Sequence, residues 1–197
     1  MADRRRAGGA QLQAGVAVTR LRIFAESGEP LLDTRDPGQI MQAFRPLGVR
    51  FEQWPARPLA PAVDQAAVLA AYAPEVARLK AEHGYQSVDV IRMSADHPEK
   101  NSLRAKFLSE HRHSEDEVRF FVEGEGLFTL REGGQVYAML CAQGDLISVP
   151  AGMRHWFDMG ATPHFTAIRL FVNADGWVAN FTGDPIADRF PRHDPAD

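Results

Sequence analysis

Two histidines and a glutamate near the middle of the chain have the types and spacing of metal ligands. His111 and His113 are separated by one residue, so a β-strand would place both imidazoles on the same face. The Ser-Glu-Asp stretch that follows could turn the chain, so that Glu117 begins the next strand and points back toward them. Two imidazoles and a carboxylate suit a divalent first-row metal such as iron, nickel or manganese. The segment therefore predicts a metal site, against the alternative that these histidines are structural or exposed.

A second segment supplies a further candidate ligand, His155. It runs from Gly144 through an apolar stretch to Pro150 and Gly152, which make a tight turn that would direct His155 toward the interior. Together with the first segment it provides four candidate ligands for one divalent metal. Arg119 has the same strand parity as Glu117, so we expect a cation on the same side of the sheet.

The elements that must position these residues are mostly short strands broken by glycine. Strands are predicted over residues 21–24, 49–54, 87–93, 105–113, 117–123, 126–131, 135–141, 145–149, 155–158 and 164–172. Many short strands at regular spacing are typical of an antiparallel barrel or sandwich. Helices are predicted over 37–44, 65–72 and 74–83. Asp36 and Asp64 are the predicted N-caps of the first two, and Gly84 is predicted to end the third. We expect these N-terminal helices to pack outside the barrel.

The composition restricts the class of protein. The chain has 197 residues and a net charge of −4, so there is no broad basic field for nucleic acid or a membrane surface. Cys141 is the only cysteine and lies in an apolar run, which suggests a core residue in a reducing cytosol rather than a disulfide. We expect a cytoplasmic monomer, with residues 1–18 as a disordered tail and 19–197 as one domain.

The two segments together resemble the paired motifs of the cupin superfamily. Gly124 matches the end of the first motif, and Gly144, Pro150, Gly152 and His155 match the second. The chain departs from the pattern at Ala105 and Met159, where glycine and asparagine are usual, but neither departure touches the candidate ligands. Residues 110–124, 149–158 and 167–171, with the pair Gly176-Trp177, resemble the bacterial acireductone dioxygenases more specifically, and the likeness extends from about residue 21 to 191.

The resemblance implies a fold and a reaction. The fold is a mainly β, cupin-type antiparallel β-barrel, also described as a double-stranded β-helix or jelly roll. The reaction is the cleavage by O2 of acireductone, an enediol ketone with a methylthio group, in methionine salvage. One Fe(II) per chain would give a 2-oxo acid and formate, whereas one Ni(II) would give methylthiopropionate, formate and CO. The alternatives are another cupin metalloenzyme, such as a different dioxygenase or an isomerase, and a non-enzymatic metal- or ligand-binding cupin.

The resemblance also implies roles for individual residues. Arg119 would stabilise the substrate dianion, and Arg169 would be a second donor in the substrate pocket, although either could instead form an ion pair at the barrel wall. Phe157 and Trp177 would line that pocket, with core packing as the alternative. The implied metal ligands are the four residues already named, and the implied accessory residues for metal loading or conformational relay, with solvated surface positions as the alternative, are Glu110 and Asp116.

Overall fold

The computed structural model describes residues 18–173 and 177–193, so the predicted tail, apart from Val18, lies outside the described residues. The strands are β1 Arg20–Ala25, β2 Pro30–Thr34, β3 Arg50–Gln53, β4 Ser87–Met93, β5 His111–Arg112, β6 Glu117–Gly124, β7 Gly126–Glu132, β8 Gln135–Cys141, β9 Asp145–Val149, β10 Arg154–Asp158, β11 Phe165–Phe171 and β12 Asn180–Phe181. The α-helices are α1 Pro37–Phe44, α2 Gln65–Ala71, α3 Ala73–His83 and α4 Lys100–Leu108, and short 3-10 helices span Arg45–Leu47 and Pro185–Arg189.

The strands form two antiparallel sheets that face each other. One has the order β12-β5-β10-β7-β8-β1-β2, and the other has the order β3-β9-β6-β11-β4. Side chains from both sheets meet in the main core, among them Phe128 and Met139 from the first and Phe121 and Ile147 from the second. Burial of such side chains stabilises the fold by roughly 1.5–3 kcal/mol each. The predicted mainly β, antiparallel architecture is therefore confirmed.

Strand β6 is buried on both faces, and its alternation decides what each side chain meets. Val118 and Phe120 belong to an outer cluster with residues of α2 and α3, such as Val68 and Leu79. The opposite parity directs Phe121 into the space between the sheets. Helices α2 and α3 therefore pack on the outside of the second sheet, as expected, whereas the buried residues of α1, Ile40 and Phe44, belong to the main core. The residues of β6 that point between the sheets remain for the site.

The N-terminal helices begin where their capping residues predict. The side chain of Asp36 accepts a hydrogen bond from the backbone N–H of Gln39, and that of Asp64 accepts one from Ala67, each at 2.8 Å. Gly84 ends α3 with a φ of 72°, in the left-handed region that glycine occupies easily. None of the described helices is long and apolar enough to span a membrane.

The strand predicted over 105–113 is wrong in its first half. Residues 100–108 form α4, and only His111–Arg112 remains extended as β5. Leu103 and Phe107 are one helical turn apart and both pack against the main core, while Arg104 forms an ion pair with Asp158 of β10. This spacing of four residues outweighs the short apolar run that suggested a strand. Strands β2 and β12 were not predicted.

Gly124 ends β6 in a conformation that requires glycine. Its φ is 73°, and a Cβ atom built there would lie 1.8 Å from the carbonyl oxygen of His164. The close approach lets β6 and β11 pair up to Phe165 before the chain turns into β7. Glycine is therefore required at this position of the first motif both by the backbone conformation of the turn and by the close approach of β11.

Candidate metal centre

Three imidazoles and one carboxylate converge between the two sheets. His111 is on β5, His155 is its direct partner on β10, and Glu117 is the first residue of β6. His113 follows β5 in the turn that leads to β6. The four potential ligand atoms, one from each side chain, all lie within 4.8 Å of one another, and all four residues are buried. The structure thus brings together the four residues that the two sequence segments predicted.

Each histidine has its outer ring nitrogen occupied by a backbone carbonyl. The Nδ1 atoms of His111, His113 and His155 lie 2.7, 2.8 and 2.9 Å from the carbonyl oxygens of Ser109, Val178 and Met153. A carbonyl oxygen can only accept, so Nδ1 carries the hydrogen in all three rings. The Nε2 lone pairs are left to face the centre of the cluster. This tautomer is the one that a metal-binding histidine needs.

The centre of the cluster fits a cation. Oε2 of Glu117 lies 3.1 Å from Nε2 of His113 and 2.9 Å from Nε2 of His155. With the hydrogens on Nδ1, these are contacts between acceptors, and they are favourable only if a proton or a metal ion lies between them. Three nitrogen donors and one oxygen donor in a buried site match the ligand preferences of divalent iron and nickel.

The pKa values of the cluster follow from burial and from the neighbouring charges. Burial, assisted by His155, lowers the pKa of His111 to about 4, so this ring is neutral at physiological pH. Burial alone would lower the pKa of His113, but the hydrogen bond to Glu117, the charge of Glu117 and the hydrogen bond to Val178 together outweigh it and raise that pKa. Burial would also raise the pKa of Glu117, yet the charge of Arg119 and the imidazole contacts hold it well below its usual range. The carboxylate is therefore ionised and ready to bind a cation.

A cavity of about 210 Å³ opens beside the cluster. Its walls include the predicted pocket residues Phe157, Arg169 and Trp177, together with Arg119. The remaining lining residues are Lys106, Phe107, His111, His113, Glu117 and Ala179. Three of the four candidate ligands thus line a space that a small molecule can enter.

Arg119 contacts both the ligand cluster and a group of aromatic side chains. Its Nε donates a hydrogen bond of 2.9 Å to Oε1 of Glu117, the carboxylate oxygen that does not face the two imidazoles. The guanidinium lies 4.7 Å from the ring centroid of Phe157 and 5.4 Å from those of Phe128 and Trp177. Burial lowers the pKa of Arg119, and the negative charge of Glu117 opposes that effect. A fixed cation therefore stands at the edge of the cavity.

Arg169 is the direct partner of Arg119 in the pairing of β11 with β6, and it has a carboxylate partner of its own. Its guanidinium is 5.5 Å from the indole centroid of Trp177 and donates two hydrogen bonds to Asp89 on β4, at 2.9 and 2.6 Å. Arg169 therefore lines the cavity and also forms an ion pair at the wall of the sheet. The indole N–H of Trp177 donates to the carbonyl oxygen of Asp116 at 3.0 Å, which fixes the ring close to both guanidinium groups.

The two accessory candidates differ in their surroundings. Glu110 is only 1% exposed, so the alternative of a solvated surface position is wrong for it. Its carboxylate accepts hydrogen bonds from Arg131 and from the Thr182 hydroxyl, the latter at 2.7 Å. Asp116 is half-buried in the turn before β6 and accepts from the backbone N–H of Ala151 at 2.9 Å. Both residues adjoin candidate ligands in the chain, but the hydrogen bonds of their carboxylates are with other residues.

Several residues of the site were not found from the sequence. Val178 orients His113 through its carbonyl group, and Phe181 of β12 packs edge-on against the ring of His111 at 5.8 Å. Lys106 and Phe107 line the cavity from α4. The helical spacing of Leu103 and Phe107 was the only signal that could have revealed the last two. Gly176, which was paired with Trp177 in the sequence comparison, lies outside the described residues.

Comparisons with known proteins agree with one another. Residues 20–179 match the model of the ARD/ARD' family. A protein of Parasynechococcus marenigrum called acireductone dioxygenase is 56% identical over 90% of this chain and 100% of its own length. One of Pseudomonas aeruginosa with the same name is 58% identical over 88% of this chain and 98% of its own. The solved structure of an acireductone dioxygenase from Bacillus anthracis, with a cadmium ion in its active centre, is 32% identical with a TM-score of 0.75, covering 85% of this chain and 100% of that one.

Proposed function

Since the chain belongs to the acireductone dioxygenase family, it cleaves acireductone with O2, and we propose that it does so at the cluster of His111, His113, Glu117 and His155. The observation that carries this proposal is the convergence of three Nε2 lone pairs and one carboxylate beside a cavity with a fixed arginine. These residues would hold one divalent metal per chain. The cadmium in the active centre of the Bacillus anthracis relative supports the assignment of such a site.

We propose Fe(II) or Ni(II) as the metal, with the identity of the ion selecting the products. Iron would give a 2-oxo acid and formate, and nickel would give methylthiopropionate, formate and CO. When bound, the metal supplies a Lewis acid that draws the two enediol oxygens and favours their ionised form. Histidine and carboxylate ligands suit both ions, so availability can decide which one the protein carries.

The residues around the cluster have separable tasks. Glu117 provides one negative charge, which leaves a divalent ion net positive toward an anionic substrate. Arg119 adds a guanidinium that stabilises the charge of the substrate dianion, because it is already held in place by Glu117 and needs no reorganisation. Phe157 and Trp177 exclude water and leave apolar surface for the methylthio tail.

We also propose that the enzyme works in the cytoplasm as a monomer, with acireductone and O2 as its only partners in the reaction. Cys141 is the only cysteine, so the chain has no internal disulfide, which fits a reducing compartment. Burial raises the pKa of its thiol and keeps it unreactive. Light scattering of the purified protein tests the oligomeric state, and a mass twice that of the chain would contradict the proposed monomer.

The function is tested with metal-free protein loaded separately with iron and with nickel. Each form receives acireductone and O2 under conditions that exclude spontaneous oxidation, and the products are identified by mass spectrometry and by CO detection. We expect consumption of acireductone by both forms, with CO only from the nickel form. If neither form consumed acireductone, the proposed function would fail, and binding of the substrate without turnover would favour a non-enzymatic cupin.

A further inference from the structure

Two of the three lysine and arginine side chains that line the cavity form ion pairs with carboxylates. The guanidinium of Arg119 is paired with Glu117 at 2.9 Å. That of Arg169 is paired with Asp89 at 2.6 Å. The Arg169 pair contributes little net charge at a distance, because the field of a close ion pair falls off faster than that of a single charge. Arg119 is buried beside Glu117, so together with a bound divalent ion it acts mainly on an anion that is already inside the cavity.

Lys106 is the exception among the described lining residues. It lies in the last turn of α4, its side chain is exposed, and no carboxylate of the described chain lies within ion-pair distance of it. Its ammonium is 5.9 Å from the centroid of the Phe107 ring, which lines the same cavity. A lysine near a helix C-terminus is also favourable for the helix itself. That effect does not require the side chain to border the cavity.

We propose that Lys106 is a substrate-guiding residue, whose ammonium attracts the anionic form of acireductone to the mouth of the cavity. The inference rests on the proposed function. An enediol conjugated with a carbonyl group is a vinylogous acid, so the substrate loses one proton readily and arrives as an anion. A single unpaired charge at the entrance raises the local concentration of such an anion and does not take part in the bond-breaking step.

The test is a charge series at one position. Lys106→Arg, Lys106→Gln and Lys106→Glu place charges of +1, 0 and −1 at the same exposed site, so folding is not at stake. At low salt we expect the KM for acireductone to rise about two- to fivefold for each unit of charge removed, with kcat unchanged. The differences should shrink toward zero at about 1 M salt, where charges are screened over a few ångströms. A purely structural role would not produce this ordering by charge.

Lys100→Gln is the matched control, since it removes the same charge from the same helix. Lys100 donates to the carbonyl oxygen of Ala95 and does not line the cavity, so its variant should keep the KM of the parent protein. A KM that is independent of the charge at position 106, or that changes equally in the Lys100 variant, would overturn the inference. If the parent enzyme were active in that experiment, the proposed function would still stand. A parent protein that never consumes acireductone would overturn both.

Discussion

His111 and His155 are direct partners across the antiparallel pairing of β5 and β10, and each donates its Nδ1 hydrogen to the carbonyl oxygen of the residue two positions earlier in the chain. The acceptors are Ser109 and Met153, and the ring centroids are 4.5 Å apart. The orientation of both rings is therefore set by backbone on either side of one strand pair. Ligands held in this way lose little freedom when a metal binds, which favours tight binding.

Removal of a ring from this pair should remove the metal. We expect His155→Ala to purify with far less than one equivalent of iron or nickel after loading and dialysis, because one of four ligands and its fixed geometry are lost. Atomic emission measures the bound metal. His164→Ala is the control, since His164 is exposed on the surface beside Glu123 and should leave the stoichiometry at one. Full metal retention by His155→Ala would contradict the assigned ligand set.

Arg119→Met separates metal binding from turnover. Methionine keeps much of the apolar contact with Phe157 but removes the guanidinium, so the charge on the substrate dianion loses a fixed partner. We expect kcat to fall by about 100- to 1,000-fold, the usual cost of one preorganised donor. Metal content, measured in the same sample, should remain near one equivalent because Glu117 keeps its imidazole contacts. An unchanged kcat would remove the proposed role of Arg119.

The ligand cluster could be predicted because it depends on strong local rules. The alternation of His111 and His113 and the Pro-Gly turn before His155 each act over a few residues, so their outcome needs little tertiary information. Their carbonyl acceptors could not be predicted, because every residue has a carbonyl group. Val178, which orients His113, is distant in the chain and carries no chemical signal of its own.

Other parts of the fold show the same division. The caps Asp36 and Asp64 acted locally, and both helices began where expected. The region 105–113 combined a helix end with a two-residue strand, and a short apolar run does not distinguish the two. The partner of Arg169 was also hidden, because Asp89 lies on β4 and meets it only through strand pairing.

Gly124→Ala should destabilise the whole fold. The substitution places a non-glycine residue at a φ of 73° and directs its Cβ into the carbonyl of His164. We expect a loss of about 3 kcal/mol or more in the free energy of unfolding, measured by urea denaturation. Gly133→Ala has a similar positive φ of 59° but meets no atom within 4 Å, so it should cost only about 1–2 kcal/mol. Equal losses in the two variants would show that the close approach to His164 is unimportant.

The three ion pairs of Arg131, next to the metal centre, should stabilise the folded protein. It forms ion pairs with Glu26 and Asp184 at 2.8 and 2.7 Å, and one at 3.3 Å with the buried carboxylate of Glu110, the neighbour of His111. Arg131→Met should lower the free energy of unfolding by about 2–4 kcal/mol, because it leaves that carboxylate without its cation.

The Arg131 prediction can be checked with a double-mutant cycle in chemical denaturation. Glu110→Gln removes the buried charge, so the double variant with Arg131→Met should be more stable than the sum of the single losses predicts. Additive losses would indicate that the contact between Arg131 and Glu110 contributes nothing. Arg35→Met, at an exposed position, serves as the control for the loss of a surface arginine.

The carboxylate of Asp158 should make stability depend on acid pH. Burial alone would raise the pKa of Asp158, but hydrogen bonds from Arg104 and from the backbone N–H groups of His193 and Gly160 outweigh it and lower that pKa. A lowered folded-state pKa stabilises the protein at pH values above the unfolded-state pKa of about 3.9, and this stabilisation is lost as the pH falls through the folded-state value.

Asp158→Asn should therefore lower the free energy of unfolding by about 1–3 kcal/mol at pH 7. The difference from the parent protein, measured by urea unfolding at a series of pH values, should shrink below about pH 4. A difference that stayed constant down to pH 3 would mean that the ionised carboxylate does not stabilise the contact between α4 and β10.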